Sequence, residues 1–114
     1  MSANLIKQWH KLELVCSFKN LKLRKAVLKE FSKDKLFCHA VREIIKNTIQ
    51  KRLNLSPRDK ATLRKKKALL LNIVKKRVPH KRKRQYVVQT GNGILPIVIP
   101  LVAQLIGELI RKNP

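Results

Sequence analysis

Acidic residues are scarce in this sequence of 114 residues, which has 6 Asp and Glu against 28 Lys and Arg and a formal net charge of +22 at pH 7. Repulsion at that density opposes a compact chain unless a polyanion neutralises it, so the balance favours a nucleic-acid partner over an anionic membrane surface. Aromatic residues make up only 4%, and neither a zinc-finger spacing nor an aromatic RNA-reading motif occurs. We therefore expect electrostatic binding to phosphates that is nearly blind to base sequence. The alternative is a cationic surface that serves solubility.

Cysteine and glycine are also rare. The two cysteines, Cys16 and Cys38, form no CxxC pair, which is typical of reduced thiols in the helical core of a cytosolic or nuclear protein. They and the three histidines have irregular spacing, so no metal and no cofactor are expected. No glycine precedes Gly91, which excludes a phosphate-binding glycine loop before that position, and no catalytic motif occurs. The sequence is not expected to be that of an enzyme.

Apolar residues recur at helical spacing through the first half of the chain, and no strand pattern occurs there. The spacing predicts helices near 4–17, 20–31 and 34–53. A fourth helix begins after Ser56, whose hydroxyl can cap it, and runs to about Arg77. We therefore predict an all-α fold, with a small bundle of three to four helices, then a basic linker and a C-terminal amphipathic apolar helix.

Changes in composition divide the chain into three predicted segments. They are a helical basic domain over 1–77, a basic linker with a glycine-containing region over 78–93, and an apolar C-terminal segment over 94–114. Pro79 ends the fourth predicted helix, because proline cannot continue the hydrogen bonds of a helix. The basic stretch "KKRVPHKRKRQ" lies just before the apolar run, which only Glu108 interrupts with a charge.

Positive charge is concentrated between Arg58 and Arg84, where 13 Lys and Arg accompany a single acid, Asp59. Each cation that meets a phosphate releases a condensed counterion, so affinity for duplex DNA should fall steeply as salt rises. Part of this stretch, "KKRVPHKRKR", also resembles a nuclear import signal. The predicted DNA-binding residues are Arg58, Lys60, Arg64, Lys65, Lys66, Lys67, Lys75, Lys76, Arg77, Lys81, Arg82, Lys83 and Arg84.

The apolar run from Ile94 to Ile110 has 17 residues, fewer than the roughly 20 that cross a bilayer as a helix. Its pattern indicates an amphipathic helix with Pro100 in the first turn. Such a face can dock on a second copy, on a capsid partner or on a membrane surface, the last being less favoured. It can also complete the protein's own core. The predicted apolar face comprises Leu101, Val102, Leu105, Ile106, Leu109 and Ile110.

The order of elements over 75–110 resembles the C-terminal part of the adenovirus mu core protein precursor (protein X) family. A basic stretch at 75–84 is followed by Gly91 and Gly93, then by "ILP", by a second proline at Pro100, and by an apolar run. Helical, lysine-rich proteins with such a tail are similar to those of adenovirus-related viruses and integrating elements of animal genomes. The resemblance covers about a third of the chain.

This resemblance implies a protein that neutralises and condenses double-stranded DNA in the virion core and the host nucleus. It also implies a viral partner, an adenovirus-type cysteine protease that matures the chain. Gln89, Thr90, Gly91 and Asn92 followed by Gly93 fit the motif of that protease, with cleavage between Asn92 and Gly93. Gln89 departs from the motif, since Met, Leu or Ile is usual there. Cleavage would separate the apolar segment from the DNA-binding part.

Two functions of other classes also fit the composition. A cationic membrane-associated protein would engage anionic lipid through its basic segment and insert residues 94–110. A basic RNA-binding protein would prefer structured RNA over duplex DNA. Salt titration on duplex DNA and leakage of anionic vesicles distinguish these alternatives from DNA condensation.

Overall fold

The computed structural model describes residues 2–50, 55–75, 77–91 and 93–112, with side chains to Gln104. Every regular element in those ranges is an α-helix, so the predicted all-α class is confirmed. In chain order the helices are α1 (Ala3–Ser17), α2 (Leu21–Phe31), α3 (Lys35–Ile49), α4 (Pro57–Lys65), α5 (Lys67–Val74), α6 (His80–Thr90) and α7 (Leu95–Lys112).

Side-chain caps start the first four helices. The Asp34 carboxylate accepts a backbone N–H two residues further on at 2.8 Å, and the Ser56 hydroxyl accepts one three residues further on at 3.1 Å. Ser2 and Asn20 cap α1 and α2 in the same way. A cap satisfies a backbone donor that the first turn of a helix leaves unpaired. These four helices therefore begin close to the positions that the sequence predicts.

The core is built around α3, which packs against α1, α5, α6 and α7. Its apolar stripe is buried except at the ends of the helix, where Leu36 and Ile49 are exposed, and α1 contributes a second stripe that includes Trp9, 9% exposed. Burial of these stripes is the main stabilising contribution to such a bundle. The buried apolar residues of the two helices are Leu5, Trp9, Leu12, Val15, Phe37, Cys38, Ala40, Val41, Ile44 and Ile45.

The fourth predicted helix is two helices. The backbone of Lys66 has φ −103° and ψ 14°, outside the helical region, and separates α4 from α5. Neither glycine nor proline marks this break. Four consecutive cations from Arg64 to Lys67 repel one another, which weakens a continuous helix at that point. Past the break, Leu70 and Ile73 of α5 are buried in the core.

The predicted basic linker is mostly helical. Its charge predicts a solvated connection, but residues 80–90 form α6, with Pro79 as the residue before the first turn. Val87 and Thr90 are buried, and α6 packs against α2, α3 and α5. The core thus includes residues from all three predicted segments, such as Leu12, Val87 and Val98. Burial of a few apolar side chains holds this cationic stretch in a helix.

The C-terminal helix begins earlier than the prediction that places Pro100 in its first turn. α7 starts at Leu95, so Pro100 lies inside the helix and not in its first turn. A proline there removes one helical hydrogen bond, and core burial offsets that loss. Of the predicted apolar face, Val102 is buried and Leu101 half-buried, while the side chains of Leu105, Ile106, Leu109 and Ile110 lie outside the described part. The residues of this segment that fill the protein's own core are Ile94, Leu95, Val98, Ile99 and Val102.

Candidate nucleic-acid interface

The predicted DNA-binding cations are mostly on the surface. Lys83 and Arg84 are half-buried, and Lys76 lies outside the described residues. Half-burial restricts the side chains of Lys83 and Arg84, whereas the exposed side chains can reach an extended polyanion. The exposed members of the set are Arg58, Lys60, Arg64, Lys65, Lys66, Lys67, Lys75, Arg77, Lys81 and Arg82.

Few acids stand near these cations. Among the described side chains, Lys11 pairs with Asp34 at 3.8 Å and Lys33 with Glu30 at 2.9 Å, and both pairs lie on the N-terminal helices. No ion pair within 4 Å involves a described residue between 58 and 84. The positive charge of this stretch is therefore left for an external anion.

A first basic groove, the Arg24 groove, lies between α2, α5 and α6. It has a volume of about 490 Å³ and combines an apolar floor with the cations Arg24, Lys25, Lys65 and Lys66. The Arg24 guanidinium is part of the frame, because it donates to the carbonyl oxygen of Phe18 at 2.6 and 3.0 Å and to that of Gly91 at 3.1 Å. The three lysines and the two N–H groups that Arg24 does not use in these bonds remain to meet a ligand. The apolar residues of the floor are Leu21, Ala68, Leu69 and Val88.

A second basic groove, the Arg42 groove, lies where α6 and the start of α1 meet α3, and has a volume of about 580 Å³. The Arg42 guanidinium donates to the carbonyl oxygen of Val74 at 3.1 and 3.3 Å, which fixes its position. The acid in this groove, Glu43, already accepts the backbone N–H and the hydroxyl of Ser2. The lining residues are Ser2, Asn4, Leu36, His39, Arg42, Glu43, Lys46 and Lys83.

Burial between α3 and α6, together with neighbouring positive charge, lowers the pKa of two side chains. Burial and the Arg42 guanidinium lower the pKa of Lys83. Burial, followed by the cations Lys35 and Arg84 and by His39, lowers the pKa of His80. Both shifts show that this region disfavours further positive charge in the free protein. The Nε atom of Arg84 is also buried and has no hydrogen-bond partner among the described residues.

Sequence reasoning missed two of the four Lys and Arg residues in the Arg24 groove and two of the three in the Arg42 groove. The segment 58–84 supplies Lys65, Lys66 and Lys83, but Arg24, Lys25, Arg42 and Lys46 come from α2 and α3. These four lie in a region with no dense charge run, so composition gives no signal for them. Helical spacing places Arg42 and Lys46 one turn apart on α3, which is the only local hint. Their meeting with Lys83 depends on how α6 packs.

The residues just before the predicted cleavage site are buried. Thr90 and Gly91 are buried, and an added Cβ at Gly91 would be 2.8 Å from Leu28 Cδ2. Gly93 has φ 101°, a left-handed conformation that favours glycine. Asn92, the predicted residue before the cut, lies outside the described residues. A protease needs an extended segment, so cleavage here would require local unfolding.

The two thiols are protonated at neutral pH. Burial raises the pKa of Cys16 to about 11 and that of Cys38 to about 11, although Arg24 and Arg84 respectively oppose the shift. A thiol acts as a nucleophile only as the thiolate. In the part of the chain that the structure describes, no group of three or more His, Cys, Asp and Glu side chains is arranged to hold a metal ion.

Taken one at a time, none of the helices in the described ranges is long and apolar enough to cross a membrane. α6 and the first part of α7 reach that length and composition only as a pair, with a bend of 85° at the break between them.

Comparisons of the chain with protein families, with curated proteins and with solved structures find no match. The family resemblance of residues 75–110 therefore stays a prediction.

Proposed function

We propose that this protein binds duplex DNA through its phosphates, without sequence preference, and condenses it as a core protein of an adenovirus-like virion. The observation that carries the proposal is the surface of exposed cations between Arg58 and Arg84, which has no ion-pair partner among the described residues. Free cations on a helical scaffold are suited to replacing the counterions of a polyanion. The proposed locations are the virion core and the host nucleus, and no catalytic activity is part of the proposal.

Maturation by an adenovirus-type cysteine protease is the second part of the proposal. Cutting between Asn92 and Gly93 would detach α7 together with the core residues from Ile94 to Val102. Since those side chains fill the core, the cut would loosen the bundle as well as remove a tail. The proposed consequence is a cationic product that adapts its shape to DNA, while the released segment is free to associate with a second copy or a capsid partner.

Salt titration tests the DNA-binding part. Affinity for a mixed-sequence duplex is measured by fluorescence anisotropy between low and physiological salt. We expect log K to fall linearly with log salt, with a slope of about −0.9 for each phosphate contacted. A second duplex of unrelated sequence should give the same affinity, because phosphates carry no sequence information.

Two control arms distinguish the other functions. Structured RNA of equal length competes no better than the duplex if DNA is the partner, and vesicles of anionic phospholipid do not leak. Stronger competition by RNA would instead favour an RNA-binding protein. Leakage together with weak duplex binding would favour the membrane-associated alternative. A duplex affinity that does not change with salt would overturn the electrostatic proposal itself.

A further inference from the structure

We propose that the Arg42 groove is a phosphate-binding site, in which Lys46 of α3 and Lys83 of α6 hold one backbone phosphate of duplex DNA against the fixed guanidinium of Arg42. The inference rests on the proposed function and names a specific anchor within it. It assigns a role to α3, whose cations lie outside the basic segment 58–84.

Convergence of charge is the first argument. Arg42, Lys46 and Lys83 line the same groove although they come from helices far apart in the sequence, and His39 lies beside them. The oxygen atoms of one phosphate group can accept hydrogen bonds from several such donors at once. Bonds between charged donors and a phosphate are shorter and stronger than neutral ones. Arg42 and Lys83 are half-buried, whereas the cations of α4 are exposed to water, where each contact is weakened by screening.

Excess positive charge is the second argument. Glu43 is the acid that lines the groove, and both of its carboxylate oxygens accept hydrogen bonds from Ser2. Its single negative charge offsets only part of the charge of Arg42, Lys46 and Lys83. Burial and, second, Arg42 lower the pKa of Lys83 in the free protein, because its ammonium is partly desolvated and lies near another cation. A bound phosphate would relieve that repulsion.

Preorganisation is the third argument. Two nitrogen atoms of Arg42 donate to the Val74 carbonyl oxygen, so the guanidinium is held in place before any ligand arrives. Binding then loses less side-chain entropy than binding through a mobile surface lysine. Lys46 is exposed and Lys83 half-buried, so one lysine can close over the ligand while the other forms a wall of the groove.

The site carries a dependence on pH. His39 lines the groove, and His80 on α6 faces Lys35 and His39 of α3, Arg84 of its own helix and the backbone of Lys33. Burial and then these neighbouring cations lower the pKa of His80 in the free protein. A phosphate between α3 and α6 adds negative charge near His80 and favours its protonated form. Binding is thus coupled to proton uptake, and affinity rises as pH falls through the range in which histidine titrates.

The test compares two double variants that remove the same charge. Lys46→Gln/Lys83→Gln changes the groove, and Lys60→Gln/Lys67→Gln changes exposed cations of the basic segment. Affinity for a mixed-sequence duplex is measured at physiological salt, with far-UV circular dichroism to verify folding. We expect the groove variant to lose about tenfold or more in affinity, since it loses charge-assisted bonds in a partly desolvated site. The matched control should lose about threefold or less.

A pH series gives a readout that a structural role would not change. Wild-type affinity should rise between pH 7.5 and pH 5.5 at constant ionic strength, and His80→Gln, at a residue outside the lining of the groove, should reduce that rise. Equal losses of DNA affinity in the two lysine variants would overturn the proposal that the groove binds phosphate. A pH series that the histidine variant leaves unchanged would overturn it too. The proposed function would stand in both cases. If the wild-type protein fails to bind the duplex, both proposals fall. If the groove variant weakens binding to anionic vesicles but not to DNA, the proposal that the groove binds a DNA phosphate is overturned in favour of a lipid headgroup.

Discussion

The helices α4 and α6 carry similar charge but are held by different interactions. α4 has a complete set of local signals, with Ser56 as its cap, Pro57 in the first turn and Asp59 near the positive end of the helix dipole. Only Leu63 of this helix is buried. α6 has no side-chain cap and no acid in its first turn, yet it buries Val87 and Thr90.

This difference separates two ways in which a cationic segment becomes helical. Local interactions specify where α4 begins, so its start is readable from the sequence. Contacts with α2, α3 and α5 specify α6, because a helix of 11 residues with little apolar surface is marginal by itself. The same contacts bring the half-buried cations of α6, Lys83 and Arg84, against α3, where burial and Arg42 lower the pKa of Lys83. The cations of α4 are exposed to water.

The largest expected effect comes from ending the chain after Gly93. This change removes five buried aliphatic residues from the core that α6 needs, a loss on the order of 10 kcal/mol, which is comparable to the whole stability of a small domain. We expect the cooperative thermal transition, followed by far-UV circular dichroism, to disappear. Gln104→Ala, an exposed change on α7, should leave the transition within a few degrees of the wild type. A truncated chain with a sharp transition would show that α6 does not depend on this core.

Gly91→Ala tests the docking of α6 at its C-terminal end. The new methyl group would lie 2.8 Å from Leu28 Cδ2, a fully buried side chain with little room to move. We expect a loss of about 1–3 kcal/mol in the free energy of unfolding, measured with urea, as is usual for overpacked sites. Gln89→Ala, exposed on the same helix, is the control and should change stability by less than about 0.5 kcal/mol. Equal values for the two variants would mean that α6 is not closely packed there.

Ser56→Ala tests the local signals of α4. The change removes the hydroxyl that accepts the Asp59 N–H at 3.1 Å, and loss of such a cap costs about 1 kcal/mol. Urea unfolding should detect it. Thr62→Ala is a matched control, because it removes a hydroxyl that only bonds back to the Arg58 carbonyl oxygen within the same helix and introduces a better helix former. If Ser56→Ala proves neutral, tertiary contacts also hold α4 and the contrast with α6 is lost.

The smallest expected effect is the response of stability to acid. His80 has a lowered pKa in the folded state, so protons bind more readily to the unfolded chain. The stabilising contribution is therefore present above the ordinary histidine pKa of 6.5 and is lost as pH falls through the lowered value. Thermal unfolding without DNA should show a smaller decline from pH 7.5 to pH 5 in His80→Gln than in the wild type. His10→Gln, on the exposed side of α1, should retain the wild-type decline, and an identical decline in all three would exclude this role of His80.

The sequence predicts the N-terminal half of the fold well and the C-terminal half less well. Capping residues and a strong apolar stripe on α3 locate the first helices, because both signals act within a few residues. The break at Lys66 is not predicted by local rules, because no glycine or proline marks it. The start of α7 before Pro100 is not predicted either, because it places a proline inside the helix. Both are settled by which side chains reach the core.

The candidate interface divides in the same way. Exposure of cations such as Arg64 and Lys67 follows from charge density alone, since ions remain in water unless they are paired. The grooves could not be predicted, because Arg42 and Lys83 meet only through the packing of α6 on α3. Their shared site depends on residues 41 positions apart in the chain.

By itself the sequence determined the helical class, the sign and density of the charge, and the starts of the capped helices, because each depends on composition or on neighbours within one or two turns. Only the tertiary structure decided that the basic stretch after Pro79 is a helix, that the apolar C-terminal residues fill the protein's own core, and that lysines from α3 and α6 line one groove. The physical reason is that burial is a property of the whole assembly, in which each apolar or charged side chain acquires its surroundings from residues distant along the chain.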